Sequence, residues 1–272
     1  FLFMLWVRAR SWEGFVRPDG TVLFRGNDPW YHYRMVEYTV RNFPGTMPFD
    51  PWTSFPAGTS VGQFGTLFDQ LMAAVALLVG LGSPTTQQIQ MVMLFTPAVL
   101  GALTIVPVYL IGVQLSSRVG GLTAALVLAL TPGQFLSRSL AGFTDHHVAE
   151  TLFMAIAVLA VLTAVRRSQV EKPVWEQFPN REFESLRPTL VFSGLAGVAV
   201  ALYIWVWPPG VLLLGILGLF FAALMILQFQ SGRSPEHVGI VAAIIGLVTA
   251  LLTLVRITEV GLSATKLSLL QP

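Results

Sequence analysis

Two short polar stretches hold the groups in this chain with which a reaction could be run. One is Gly26-Asn27-Asp28-Pro29-Trp30-Tyr31-His32-Tyr33-Arg34; the other is Thr144-Asp145-His146-His147-Val148-Ala149-Glu150, at the mouth of an apolar helix. Ionisable groups at the edge of a membrane segment are costly and mark functional sites by default. Asp145 and His147 stand two residues apart, so in extended backbone their side chains point the same way and can grip one cation. Glu150, three residues beyond His147, shares its face once the helix has begun. A carboxylate and imidazole set without thiolate suits a hard or borderline divalent ion, Mn²⁺ or Mg²⁺ before Zn²⁺. The competing account is capping, with Thr144 or Asp145 as N-cap and the carboxylates facing the helix dipole. Two adjacent histidines are not needed for that.

Asn27-Asp28-Pro29 is a turn signature that can open a helix running to Val40, with Asp28 as its cap. Trp30, Tyr31 and Tyr33 have a parallel account as aromatics of the membrane interface. Arg138, upstream of Asp145 in the same connection, can meet an anionic group or simply snorkel.

The elements that must carry these stretches are set by composition. Hydrophobic residues make up 54% and charged residues 11%, less than half the usual charged share of soluble domains, which makes this a polytopic, all-α membrane bundle. The net charge of +2 is small, and no basic patch with interleaved aromatics is present, so a nucleic-acid partner is not expected. With no Cys, disulfides and thiolate chemistry are excluded.

Uncharged runs mark the spans: 89–113, 119–137, 151–165, then 188–232 divided at Trp207-Pro208-Pro209-Gly210, and 238–255. Two prolines and a glycine end one helix and start the next. The region 89–255 is thus expected to hold six complete spans, preceded at 1–7 by the end of a truncated first helix. Segment 64–81, which bears Asp69, reads either as a seventh span or as a helix lying in the interface. Arg166, Arg167, Lys172, Arg181 and Arg187 make their connection the best cytoplasmic candidate, which sets Asp145 and the Gln87-Gln88 turn outside and the Arg118 turn inside. The interfacial reading of 64–81 is favoured. It makes 8–88 one long external loop, with Asp28 and Asp145 on the same face and 256–272 external as well. The arginines between Arg8 and Arg41 argue mildly against an external loop, although long loops translocate largely regardless of charge.

In order and separation, Gly26 to His32 followed by Ala141 to Glu150 resembles the archaeal AglB-type oligosaccharyltransferases, relatives of the eukaryotic catalytic subunit and of bacterial PglB. The resemblance extends from about Gly26 to the Trp207-Pro208 turn. It implies a GT-C-like glycosyltransferase whose first external loop is long and bears a surface helix. It implies transfer of a glycan from a lipid-linked oligosaccharide, on a dolichol-type phosphate or pyrophosphate, to Asn of Asn-X-Ser/Thr in an acceptor polypeptide, with inversion at the sugar. Asp28 matches the aspartate that binds metal and engages the acceptor amide, and Asp145 and His147 match metal ligands of the second motif. His146 and Glu150 belong to that motif without an assigned ligand role, and Trp207 resembles a tryptophan near the active site. A third acidic motif and a sequon-reading domain are not legible, Thr258-Glu259 being only a superficial echo, so the fragment is expected to be inactive alone. Two alternatives remain open: an O-mannosyltransferase-like enzyme, which would not be expected to show the His-His motif, and an ion-coupled secondary transporter, against which no inverted repeat is seen.

Overall fold

The computed structural model describes residues 1–61, 64–168, 183–257 and 261–272. Lys172, Arg181 and the Thr258-Glu259 pair lie outside them. The chain divides into two compact units, Phe1–Ala155 and Ile156–Pro272.

The first unit carries α1 (Leu2–Ala9), α2 (Asp28–Asn42), α3 (Leu67–Val79), α4 (Thr86–Leu103), α5 (Ile105–Leu115), α6 (Arg118–Leu130), α7 (Gln134–Arg138) and the start of α8 (His147–Arg167). Two short strands, β1 (Phe49–Asp50) and β2 (Thr59–Ser60), pair antiparallel with Phe49 opposite Ser60. A capping box opens α4, the Thr85 hydroxyl accepting from the Gln88 N–H while the Gln88 side chain accepts from the Thr85 N–H, which satisfies two of the donors a helix start leaves free. The sequence breaks the apolar run after Leu103 because Pro107 has no N–H to offer the Leu103 carbonyl. The two helices nevertheless form one apolar stretch, Thr86–Leu115.

Five stretches among the described residues are long and apolar enough to cross a membrane: Thr86–Leu115, His147–Arg167, Leu186–Val206, Pro208–Gln230 and Glu236–Leu254. Where a sixth span is expected over 119–137, the structure has the 13-residue α6 and the 5-residue α7. Thr131 is extended before Pro132, and Gly133 sits at φ 144°, a conformation open to glycine that ends the helix. At 13 residues, α6 and α3 each reach only about 20 Å, against a hydrocarbon core of about 30 Å.

Small residues let this unit pack backbone to backbone. A Cβ on Gly121 of α6 would fall 2.7 Å from the Tyr109 carbonyl of α5, and one on Gly112 would fall 2.8 Å from the Gly121 Cα, the close approach that apolar helices use where lipid supplies no hydrophobic drive. On α4, Gly101 leaves room for the buried Arg8, whose Nε donates to Ser139 Oγ at 2.8 Å and whose guanidinium lies over the Phe135 ring.

The second unit contains α9 (Phe183–Val206), α10 (Val211–Gln230) and α11 (Glu236–Leu254). Gly197 of α9 meets α11 closely, and Thr249 Oγ1 donates to the Gly197 carbonyl at 3.1 Å. The turn between α9 and α10 is Trp207-Pro208-Pro209-Gly210, where the Tyr203 ring fills the space a Cβ on Gly210 would take.

Candidate functional site

The loop before α8 is held by carbonyls of α4 and α1, one of which α4 leaves free. Pro97 lies inside α4, so the Met93 carbonyl, four residues earlier, has no helical N–H to accept. Thr144 Oγ1 donates to that carbonyl at 2.7 Å. Beside it, the Gly142 N–H donates to the Leu94 carbonyl at 2.9 Å and the Ala141 N–H to the Arg8 carbonyl at 2.9 Å. Gly142 adopts φ 85°, and the Phe15 ring lies 3.0 Å from where its Cβ would be, so only glycine fits. The loop in turn anchors the upstream motif, because the Arg25 N–H donates to the Gly142 carbonyl at 2.8 Å. Thr144→Val should cost about 1–3 kcal/mol by orphaning the Met93 carbonyl. Pro97→Ala in the same chain restores an N–H to that carbonyl, so thermal unfolding in detergent should show the double variant recovering much of the loss.

These anchors bring the two motifs together around Asp145, which is 1% exposed. His146 Nδ1 lies 2.8 Å and His32 Nε2 3.7 Å from Oδ1; His147 Nε2 lies 3.4 Å and Arg138 Nη1 3.6 Å from Oδ2. None of these groups is aligned as a hydrogen bond, and both Asp145 oxygens are buried without a partner. Burial pushes the Asp145 carboxyl up, but the imidazoles of His146 and His32 and the charge of His147 outweigh it and hold the group well below the usual carboxylate range. His147 Nδ1 also meets Glu150 Oε2 at 3.2 Å. Capping does not account for the motif, since the Thr144 hydroxyl is spent on Met93 and Asp145 accepts no backbone N–H.

Asp28 is the first residue of α2 and exposed, with Pro29 behind it. It stands one turn before His32 on the same helix face. Its side chain is exposed and is not among the groups whose ligand atoms converge around Asp145. Arg138 is held from behind by Gln134 Oε1 at 2.9 Å and stacks toward the Phe143 ring. With His147 and Glu150 it lines a cavity of about 380 Å³. Trp207 lies in the second unit, half-buried beside Tyr203.

Sequence reasoning did not single out His32 and Asp69. The His32 ring is buried, its Nδ1 2.7 Å from Asp69 Oδ1 on α3. Burial alone would push His32 down, but the facing Asp69 and Asp145 carboxylates raise it to about 9. The available signals were the four-residue spacing from Asp28 and a lone carboxylate in an apolar helix. Ligand atoms of His32, Asp145 and His146 lie within 4.8 Å of one another, as do those of His146, His147 and Glu150. An unsatisfied buried carboxylate ringed by imidazoles is a fit for a divalent cation.

The family model for the oligosaccharyl transferase STT3, N-terminal, matches residues 1–270. The dolichyl-monophosphooligosaccharide–protein glycotransferase AglB of Haloferax volcanii is 54% identical over 271 residues, covering 100% of this chain and 26% of the relative. Archaeoglobus fulgidus AglB, solved in complex with an inhibitory peptide and a dolichol-phosphate, superposes with a TM-score of 0.82 at 29% identity, covering 98% of this chain and 30% of that one. The oligosaccharyltransferase of the same organism in complex with Zn and sulfate gives a TM-score of 0.84 at 29% identity, covering 99% and 32%. The chain thus spans between 26% and 32% of the length of these proteins. On a match that runs from end to end and includes both polar motifs, this integral membrane chain belongs to the STT3 family of oligosaccharyltransferases, in its N-terminal region.

Proposed function

We propose that the protein containing this chain moves a glycan from a dolichol-type lipid phosphate or pyrophosphate to the asparagine of an Asn-X-Ser/Thr sequon, on the external face of the membrane. The observation that carries this reading is the convergence of the two motifs on one buried carboxylate without hydrogen-bond partners. The relatives favour it over the O-mannosyltransferase-like and transporter readings, and the relatives solved with dolichol-phosphate and with an acceptor peptide point to the two substrates. The meeting of His32 with Asp145, Asp28 standing one turn before His32, supports the view that 8–88 is a single external loop with an interfacial helix. That view sets Asp28 and Asp145 on one face.

Asp145 and His147, joined by Asp28 when the ion is bound, would hold a divalent cation. Oxygen and imidazole donors favour Mn²⁺ or Mg²⁺, and a relative was solved in complex with Zn and sulfate, which makes zinc the ion to compare with them. Such an ion neutralises negative charge on a departing phosphate. Asp28, exposed at the start of α2, accepts hydrogen bonds from the acceptor carboxamide NH₂ and orients its weakly nucleophilic nitrogen. Arg138, opening on the cavity it shares with His147 and Glu150, meets the phosphate oxygens. His146 and Glu150 fix the imidazole positions around Asp145. Attack from the side opposite the leaving group inverts the sugar carbon.

The test is transfer from a dolichol-linked saccharide to a short Asn-X-Thr peptide by the full-length protein in detergent. Glycopeptide should form with Mn²⁺ or Mg²⁺ and stop on chelation. Asp28→Ala should lower the rate by about 10²-fold or more, while the folded protein persists. Transfer to a peptide with Ser or Thr but no Asn would point to the O-linked reading instead.

A further inference from the structure

His32 and Asp69 take no part in the chemistry above, yet both are buried beside Asp145, at 5% and 3% exposure. A carboxylate in the interior carries a large desolvation cost unless it is well partnered, and α3 is otherwise an uncharged helix. Asp69 spends that cost on one imidazole. As a carboxylate it only accepts, so His32 Nδ1 is the donor and Nε2 is turned the other way, toward Asp145. The ring has little freedom to turn back, with the Phe68 ring edge-on at 5.1 Å on one side and the His146 ring at 5.9 Å on another.

The separation from Nε2 to Asp145 Oδ1 is 3.7 Å. That is beyond the roughly 3.2 Å limit of a good N–H···O bond. It is close to the spacing of about 3.4 Å between two ligands on bonds of about 2.1 Å at a tetrahedral angle. Oδ1 itself is buried and unpartnered. We infer that His32 is a further protein ligand of the divalent cation at Asp145, and that Asp69 is the positioning residue that turns its Nε2 to that task. The arrangement is the carboxylate–histidine–metal chain in which the outer carboxylate fixes the tautomer of the ligand. A cation taken by Asp145 then has an imidazole beside each carboxylate oxygen, His32 at Oδ1 and His147 at Oδ2.

The inference rests on the cation reading of Asp145 given above, and the simplest competing account is a strut that ties α3 to α2. Mn²⁺ bound to the full-length protein in detergent separates them, through electron spin echo modulation from imidazole nitrogen and through the titrated affinity. Wild type should show two coordinated imidazoles. His32→Gln should remove one and weaken Mn²⁺ binding by about 10–100-fold, and Asp69→Asn should keep both but weaken binding by about tenfold. In the His32→Gln background Asp69→Asn should have no further effect on affinity. Thermal unfolding reports the strut on its own. If His32→Gln and Asp69→Asn lower only the unfolding temperature, with nitrogen modulation and affinity at wild-type values, the ligand assignment is overturned. Wild-type protein that takes up no divalent cation overturns the cation reading of Asp145 and this assignment together.

Discussion

Asp145→Asn in the full-length protein lowers glycan transfer by about 10³-fold and Mn²⁺ affinity by more than about 100-fold, with the chain still folded. The substitution keeps the shape of the side chain and removes its charge. Four groups face that charge, His32 and His146 at Oδ1, His147 and Arg138 at Oδ2, and no other side chain in the cluster is placed to meet all of them. Among the described residues, Glu150 pairs with His147 and not with the others. An amide in place of the carboxylate offers its NH₂ to at least one of these donors, so the imidazoles separate and the cation loses its central ligand. Transfer assays and Mn²⁺ titration on the same preparation check both parts. Activity within about tenfold of wild type would show that Asp145 is a structural anion balanced by its histidines and that the reaction is run elsewhere.

The second large effect is on folding. Gly101→Leu should destabilise the protein by about 3 kcal/mol or more and cut the yield of folded protein in detergent. A Cβ at this position falls 2.6 Å from Ser139 Cβ and 3.0 Å from Arg8 Nε. Neither neighbour can withdraw freely. Ser139 is the hydrogen-bond partner of the Arg8 Nε, and Arg8 is wholly buried between α4 and the Phe135 ring. Moving the guanidinium leaves a buried cation without its partner, a loss beyond the steric one. The Arg8 carbonyl also accepts from Ala141, so the displacement is passed to the loop that ends in Asp145. Gly101→Ala, a smaller intrusion at the same point, should fall between the two. Equal unfolding temperatures for wild type and Gly101→Leu would mean that α1 and α4 pack less tightly than the structure has them.

What could be read from the sequence was whatever depends on residue type and near spacing. Asp145, His147 and Glu150 lie within six consecutive residues, so the meetings of Asp145 with His147 and of His147 with Glu150 follow from local backbone geometry. The apolar run at 238–255 is one helix because nothing in it interrupts the backbone ladder, whereas the run at 89–113 is divided into α4 and α5 at Pro107. The run at 119–137 is two helices, not one, because counting charges ignores Pro132-Gly133, which stops α6 without adding a charge. The partnership of His32 with Asp69 was out of reach for a different reason. It joins residues 37 apart on two helices, and no periodicity within either helix announces which face will meet which. The same holds for Thr144, whose hydroxyl suggested an N-cap until Pro97 supplied a carbonyl in greater need of it. Trp207 belongs to the other compact unit, and the local turn that holds it carries no information about Asp145.

Pro97 and Thr144 form a pair of a kind that heredity should keep together. The proline removes a donor from α4 and the threonine returns one, so each residue is costly or idle without the other. In any descendant of this chain where position 97 regains an N–H, the Met93 carbonyl can close its own helical bond and the hydroxyl at 144 becomes free to be lost. Where the proline stays, selection on the hydroxyl stays with it, whatever happens to the glycan, the lipid or the acceptor. The threonine that introduces the acidic motif is then retained for the sake of a helix rather than for the reaction, and its presence in a sequence reports on the scaffold beneath the site.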